Sequence, residues 1–413
     1  MSSIFAEHTL PNGLRVVCEV MPRLRSAAVG FFVRAGSRHE RPAEHGVSHF
    51  LEHMCFKGAG ARSCRDINIS FDELGSIYNA FTSKEHTVYF GWVPAERTTA
   101  QLELLADIMR PSLRSEDFEM ERNVVLEEIA MSGDSFEHQV WDFLHESCFG
   151  AHPLAHEILG ERTTVQNMTR DMMVDYHRAR YAPGAMTLIV AGAVEPEAVF
   201  AAAGRYCGRW RAEHDGEPDF PPPPPLSTGT CKRRLDQFQQ QSIIMLYPSV
   251  HAGHAYAETI ELFQSLFGGL NSRCYWNIVQ EGICSQAGAA WLSYGDSGML
   301  ALYADGEPDR CEDMLAALRE QAADVTKNGF RSDEVQRVKN RRRTHLALEA
   351  ESPRTRLMLL IDDIESYGRV RSTETRLAAV EAVSAKTIAA YLEQHPVTGE
   401  HLLLSCGPRD WPA

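Results

Sequence analysis

Apolar positions along the chain change their period several times, and each change marks a predicted element. Residues 14–20 and 27–35 alternate or run apolar over short stretches and read as strands, the second rich in valine and phenylalanine. Asn12-Gly13 just before them suits a tight hairpin turn. Between 63 and 74 the spacing becomes helical, and Gly75 ends the run. Residues 77–90 return to a β-prone pattern in two halves, 79–83 and 86–90. Helical spacing resumes over 96–109, where Leu102, Leu105 and Met109 share a face and Pro111 breaks the pattern. Helices are then predicted from Ser115 to 131, over 136–149 and over 168–178, a buried strand over 186–193 and a short helix over 198–206.

The second half repeats this plan. A strand is predicted at 241–247, a helix at 256–267 that continues over 273–280 beyond a glycine loop, and strands within 291–303 around a turn at Gly295-Asp296. Helices follow at 309–328 and 332–351, with one long final helix over 375–393. Five consecutive prolines at 221–225 are the clearest boundary, since such a run is extended and stiff. We therefore expect a domain over 1–215, a proline-rich linker over 216–230 and a related domain over 231–413. Strands followed by helices, with antiparallel hairpins, predict an α+β fold of two related sheet-and-helix domains.

Composition narrows the function. The 413 residues, 44% hydrophobic and 23% charged, are ordinary for a globular protein with sizeable cores. A net charge of −15 argues against a general role on nucleic acid. No apolar run approaches membrane-spanning length, so no membrane association is expected. The ten cysteines form no C-x-x-C pair, which fits free thiols in a reducing compartment better than a zinc knuckle or disulfide scaffold. Residues 1–9 lack a basic region followed by an apolar one, so no signal peptide is expected and a cytoplasmic location follows.

Chemistry concentrates at His49-Phe50-Leu51-Glu52-His53. Histidines four apart share a helix face, and Glu52 lies close to both. That face can offer two imidazoles to one zinc ion, with a carboxylate beside it to accept a proton. The order inverts the commoner zinc helix, in which glutamate directly follows the first histidine. A catalytic zinc site needs a third protein ligand. The charge-rich helix predicted from Ser115 carries Glu119, Glu121, Glu127 and Glu128, and periodicity leaves Glu127 and Glu128 equally open. His138, His145, His152 and His156 are not expected to be ligands.

With these residues in view, the chain resembles the inverzincin metallopeptidases of the pitrilysin family, M16. It is most similar to the half-length branch that holds mitochondrial processing peptidase and its bacterial relatives. Segments 46–58, 79–89, 121–129 and 268–273 match family motifs in order, and the likeness runs from Thr9 to about residue 360. The resemblance implies half of a clamshell and a zinc endopeptidase with one Zn2+ per chain. Its ligands would be His49, His53 and Glu128, with Glu52 as general base and Glu121, seven residues before Glu128 on the same face, in support. An edge strand beginning at Asn79-Ala80-Phe81-Thr82 would pair with an extended peptide substrate.

The sequence departs from the family at one place. Active members carry an arginine and a tyrosine seven apart after the glycine loop, and here Val279 and Ser285 fall near those positions. Neither replaces a guanidinium or a phenol. The resemblance thus implies a heterodimer with a paralogous chain that supplies Arg and Tyr, a homodimer being the alternative. A non-catalytic core subunit or peptide-binding module of the same fold is the competing functional reading.

Overall fold

The computed structural model describes residues 4–211 and 222–412. In chain order the first part contains β1 (Ile4–Thr9), β2 (Arg15–Val20), β3 (Ser26–Val33), α1 (Val47–Cys55), the short β4 (Gly58–Ala59) and β5 (Arg62–Ser63), then α2 (Cys64–Leu74), β6 (Ile77–Thr82) and β7 (Thr87–Pro94). Five helices follow: α3 (Thr98–Ile108), α4 (Ser115–Ser132), α5 (Phe136–Phe149), α6 (Arg162–Asn167) and α7 (Arg170–Arg180). They lead to β8 (Met186–Gly192) and α8 (Pro196–Cys207). Beyond the proline run come β9 (Gly229–Arg234), β10 (Gln241–Ser249), α9 (Ala257–Gly268), β11 (Gln286–Ser293) and β12 (Gly298–Gly306). The chain closes with α10 (Cys311–Asn328), α11 (Ser332–Glu349), α12 (Pro353–Tyr367), α13 (Thr373–Ala382), α14 (Ala385–Gln394) and β13 (Leu402–Gly407). The predicted linker lies partly outside the described residues.

The helices end where local chemistry stops them. Ser63 caps α2 by accepting from the Asp66 N–H while Asp66 reaches back to the Ser63 N–H, and Gly75 at φ +64° closes its far end. The single final helix expected over 375–393 is corrected to two. Ser384 caps α14 by accepting from the Thr387 N–H, and that local bond replaces helical continuation from α13. Helical spacing at 275–279 is met by a π-helical turn.

The chain forms two compact units, and they are interleaved in sequence. The first unit holds a six-stranded sheet in the order β1-β2-β8-β3-β7-β6, antiparallel except for β2 with β8. β3 is buried on both faces, which explains its unbroken apolar run. Val29 and Phe31 face a core shared with α1, α3, α7 and α8. Ala28 and Phe32 face the opposite way, with Val17, Val88 and Ile189, against Leu357, Leu360, Ile361 and Ile364 of α12. Gly30 permits this close helix, because a Cβ there would stand 3.0 Å from the Leu357 side chain. A buried ion pair, Arg356 to Glu19 at 2.7 Å, fixes α12 on that face.

The second unit has a five-stranded sheet in the order β11-β12-β10-β13-β9. One face packs against helices of its own half of the chain, through Ile243, Met245, Leu302 and Leu403. The other carries Ile244, Leu246, Ala301 and Leu404 against Val140, Phe143 and Leu144 of α5. Each sheet is thus covered on its second face by a helix from the opposite half of the sequence.

Candidate metal centre

The site lies in the first unit and rests on three elements. α1 presents His49 and His53 on one face, with ring centroids 4.6 Å apart. Its opposite side buries Phe50, Leu51 and Met54 in the core. Gly46 at φ +96° starts the helix, and a Cβ there would lie 2.5 Å from the Leu159 carbonyl oxygen, so only glycine fits. Glu40, itself buried, closes the first turn. Its Oε2 accepts from the Gly46 N–H and its Oε1 from the Ser48 N–H, both at 2.8 Å. Burial pushes its carboxyl up to about 8, against the two backbone donors that favour the charged form.

α4 brings the third group. Glu128 Oε2 lies 3.6 Å from His49 Nε2 and 3.6 Å from His53 Nε2. These atoms all fall within 4.8 Å of one another. Ligands on one tetrahedral zinc, each about 2.0–2.2 Å from the ion, stand about 3.3–3.6 Å apart, so the donor set and its spacing both fit zinc. Of the two glutamates that periodicity left open, Glu127 is exposed and outside this group. His138, the first of the excluded histidines, belongs with α5 in the second unit.

Around the ligands a chain of partners fixes tautomer and charge. Glu121 Oε1 holds His53 Nδ1 at 2.9 Å, which turns Nε2 toward Glu128. Glu121 Oε2 pairs with Lys57 Nζ at 2.6 Å. Burial alone would raise the Glu121 carboxyl, but the His53 and Lys57 hydrogen bonds hold it below its usual range. Burial would likewise lower His53, yet the Glu121 bond and the charges of Glu128 and Glu52 raise it. His49 lacks such a partner: burial, with His53 adding, pushes it down to about 3. Its Nδ1 is buried without a hydrogen-bond partner among the described residues.

Glu52 stands beside this group. Burial raises its carboxyl, and the Thr82 hydroxyl, donating to Oε2 at 2.6 Å, moderates the rise. Thr82 ends β6, the edge strand of the sheet, which among the described residues pairs only with β7. Along β6 Asn79 and Phe81 are exposed while Ala80 is buried and Thr82 half-buried. Asn79 Oδ1 accepts from the Ala80 N–H. Sequence reasoning grouped Thr82 with the substrate strand and missed its bond to Glu52. It also missed Glu40 and Lys57. Lys57 follows His53 by four residues, a spacing that could have flagged it, whereas Glu40 carried no local signal.

Val279 is half-buried, and the Ser285 hydroxyl donates to the Asp305 carbonyl. Among the described residues no helix is long and apolar enough to cross a membrane.

Comparison with known proteins agrees with this geometry. Residues 15–162 match the family model described as insulinase (peptidase family M16), and 167–342 match the peptidase M16 inactive domain. A protein of Mycobacterium leprae described as an uncharacterized zinc protease is 32% identical, over 94% of this chain and 88% of its own length. A Bacillus subtilis protein with the same description is 31% identical, over 85% of each. The crystal structure of a protease from Helicobacter pylori shares the fold, with a TM-score of 0.89 at 20% identity over 98% of this chain and 99% of that one. With relatives this close along nearly its whole length, and a His/His/Glu group of zinc-binding geometry, the chain belongs to peptidase family M16, in its zinc-protease branch.

Proposed function

We propose that the chain is a zinc-dependent endopeptidase that cuts extended peptides, with Glu52 as general base. The observation that carries this reading is the convergence of His49 Nε2, His53 Nε2 and Glu128 Oε2 beside a half-buried carboxylate that hydrogen-bonds to an edge strand. Bound zinc would supply Lewis acidity, making a water nucleophilic near neutral pH and polarising a peptide carbonyl.

The protein's own groups then divide the work. Glu52 Oε2 is engaged by Thr82, which leaves Oε1 to accept a proton from the attacking water and pass it to the leaving amine. Its raised carboxyl suits both halves of that transfer near neutral pH. Glu121 orients His53 and is itself neutralised by Lys57. The free edge of β6 from Asn79 to Thr82 supports backbone pairing with an extended substrate, a mode that reads conformation more than side chains. Leader or precursor peptides, targeting peptides and general short peptides all fit that mode.

Glu52→Gln tests the reading. Zinc content by elemental analysis should match the parent while peptide hydrolysis collapses. Full hydrolysis by that variant would remove Glu52 from its role. For the partner, a 1:1 heterodimer with a paralogous chain supplying Arg and Tyr is supported by Val279 and Ser285 falling near the places where the family carries those residues, with a homodimer as the alternative. Mixing with the paralogue should restore cleavage, and high activity from the pure single chain would refute the heterodimer. Ten free thiols support a cytoplasmic setting.

A further inference from the structure

The second unit contains a cavity of about 310 Å³ between the first turns of α5 and strands β10, β11 and β12. This is the lower end of the range for ligand pockets, about 300–1,000 Å³. Its apolar wall includes Leu144, Ile244 and Ala301, all buried. Asp305 and Glu137 line it too. Aromatic rings of Phe136, Trp141 and Tyr303 also line it.

The charges in this cavity are unbalanced. Asp305 sits on β12 inside the unit, and among the described residues the lining contains no lysine, arginine or histidine. Neither Asp305 nor Glu137 has an ion-pair partner among those residues. Burial pushes the Asp305 carboxyl above its usual range, the Ser242 hydrogen bond pulls it back, and the Glu137 charge pushes with burial. Two carboxylates that repel across an apolar, aromatic-walled space are poorly served by each other. A monocation would relieve both at once, its head at the carboxylates and its stem along Leu144, Ile244 and Ala301. Ring faces nearby add attraction for the same charge.

We propose that this cavity binds a guanidinium or ammonium head carried on an aliphatic stem. That chemistry is shared by free alkyl cations and by arginine or lysine side chains of a peptide. The site lies in the unit that lacks the zinc ligands and does not depend on the proposed hydrolysis, so each reading can fail alone.

The test is calorimetric titration of the full chain with butylguanidine, with neutral butylurea of the same stem, and with a blocked pentapeptide carrying one central arginine. Butylguanidine is expected to bind saturably, and butylurea much more weakly. Binding of butylguanidine alone assigns the cavity to free cations, and binding of both butylguanidine and the pentapeptide assigns it to peptide side chains. Asp305→Asn, which keeps the shape, should weaken butylguanidine by at least about tenfold, as expected for loss of a charge-assisted hydrogen bond. Glu137→Gln, on the first turn of α5, should weaken it about threefold and decides the matter if Asp305→Asn does not fold. No saturable butylguanidine binding up to about 20 mM, equal binding of butylurea, or unaltered affinity in the folded variants would overturn the proposal.

Discussion

Replacing Glu40 by glutamine removes one of the two oxygens that close the first turn of α1. The parent carboxylate receives the Gly46 and Ser48 N–H groups at 2.8 Å each, and these donors have no intrahelical acceptor. Glutamine keeps one oxygen and turns an amide NH2 toward the other donor. A buried donor left unpaired costs about 1–3 kcal/mol. Loss of negative charge at the positive end of the helix adds about 0.3–1 kcal/mol to the extent that Glu40 is ionised. Relief works in the opposite direction, because burial pushes the Glu40 carboxyl up to about 8 and glutamine has no charge to desolvate. The lower half of the range therefore applies, and we expect about 1–2 kcal/mol. For a unit of this size that is a fall in Tm of about 2–8 °C. His49 lies only three residues beyond Gly46, so fraying there loosens one proposed zinc ligand and spares His53 on the next turn. Zinc affinity should fall by up to about tenfold, the equivalent of 1.4 kcal/mol. Thermal melts with and without zinc, and competition against a chelating dye, measure both quantities. Glu40→Ala orphans both donors and must be worse than glutamine. A Glu40→Gln melt within about 1 °C of the parent with unaltered zinc affinity, or an alanine variant milder than glutamine, would refute the capping argument.

Three other changes probe the surroundings. Glu121→Gln should lower zinc affinity about 10–100-fold, because His53 loses the charged acceptor that sets its tautomer; a zinc titration reads this directly. Thr82→Val deletes the bond that lowers the Glu52 carboxyl, so the acid limb of the kcat/KM profile should move to higher pH with zinc content unchanged. An unmoved limb would separate Thr82 from Glu52. Arg356→Met leaves Glu19 charged and buried, and should cost about 3–5 kcal/mol in urea unfolding, most of it recovered when Glu19→Gln is added.

The sequence carried the zinc helix because its signal is local. Four residues between histidines means one helix face in any context, and apolar neighbours on the other side mean burial. Most strands of the first sheet were equally legible, since a two-sided apolar run such as β3 has few other solutions, whereas the largely exposed edge strand β1 carries no such run. What periodicity cannot give is an address. α5 shows an apolar face, but nothing in its spacing says that the face meets β10 and β12 in the second unit. Glu40 was invisible for the same reason: its partners lie across a loop, and an isolated glutamate in a polar stretch resembles any solvated residue. The break between α13 and α14 was legible in principle, because Ser384 with Thr387 three residues later is a capping signal, but helical spacing on both sides masked it.

The exchange of α5 and α12 bears on how the molecule is made and how it comes apart. The last strand of the first sheet ends at Gly192, whereas the helix that covers its second face begins at Pro353. During synthesis, Val17, Phe32, Val88 and Ile189 must wait, uncovered, until most of the chain has left the ribosome. A nascent chain stalled before that point presents a sticky sheet to the cell, a natural target for chaperones and for quality-control proteolysis. In the finished protein, cutting the linker cannot release two self-sufficient halves, since each takes one of its layers from the other. Neither half of the sequence can unravel without withdrawing a helix from the other half's sheet, so the cooperative blocks that heat and denaturant meet should be the two interleaved units and not the two halves that the proline run divides.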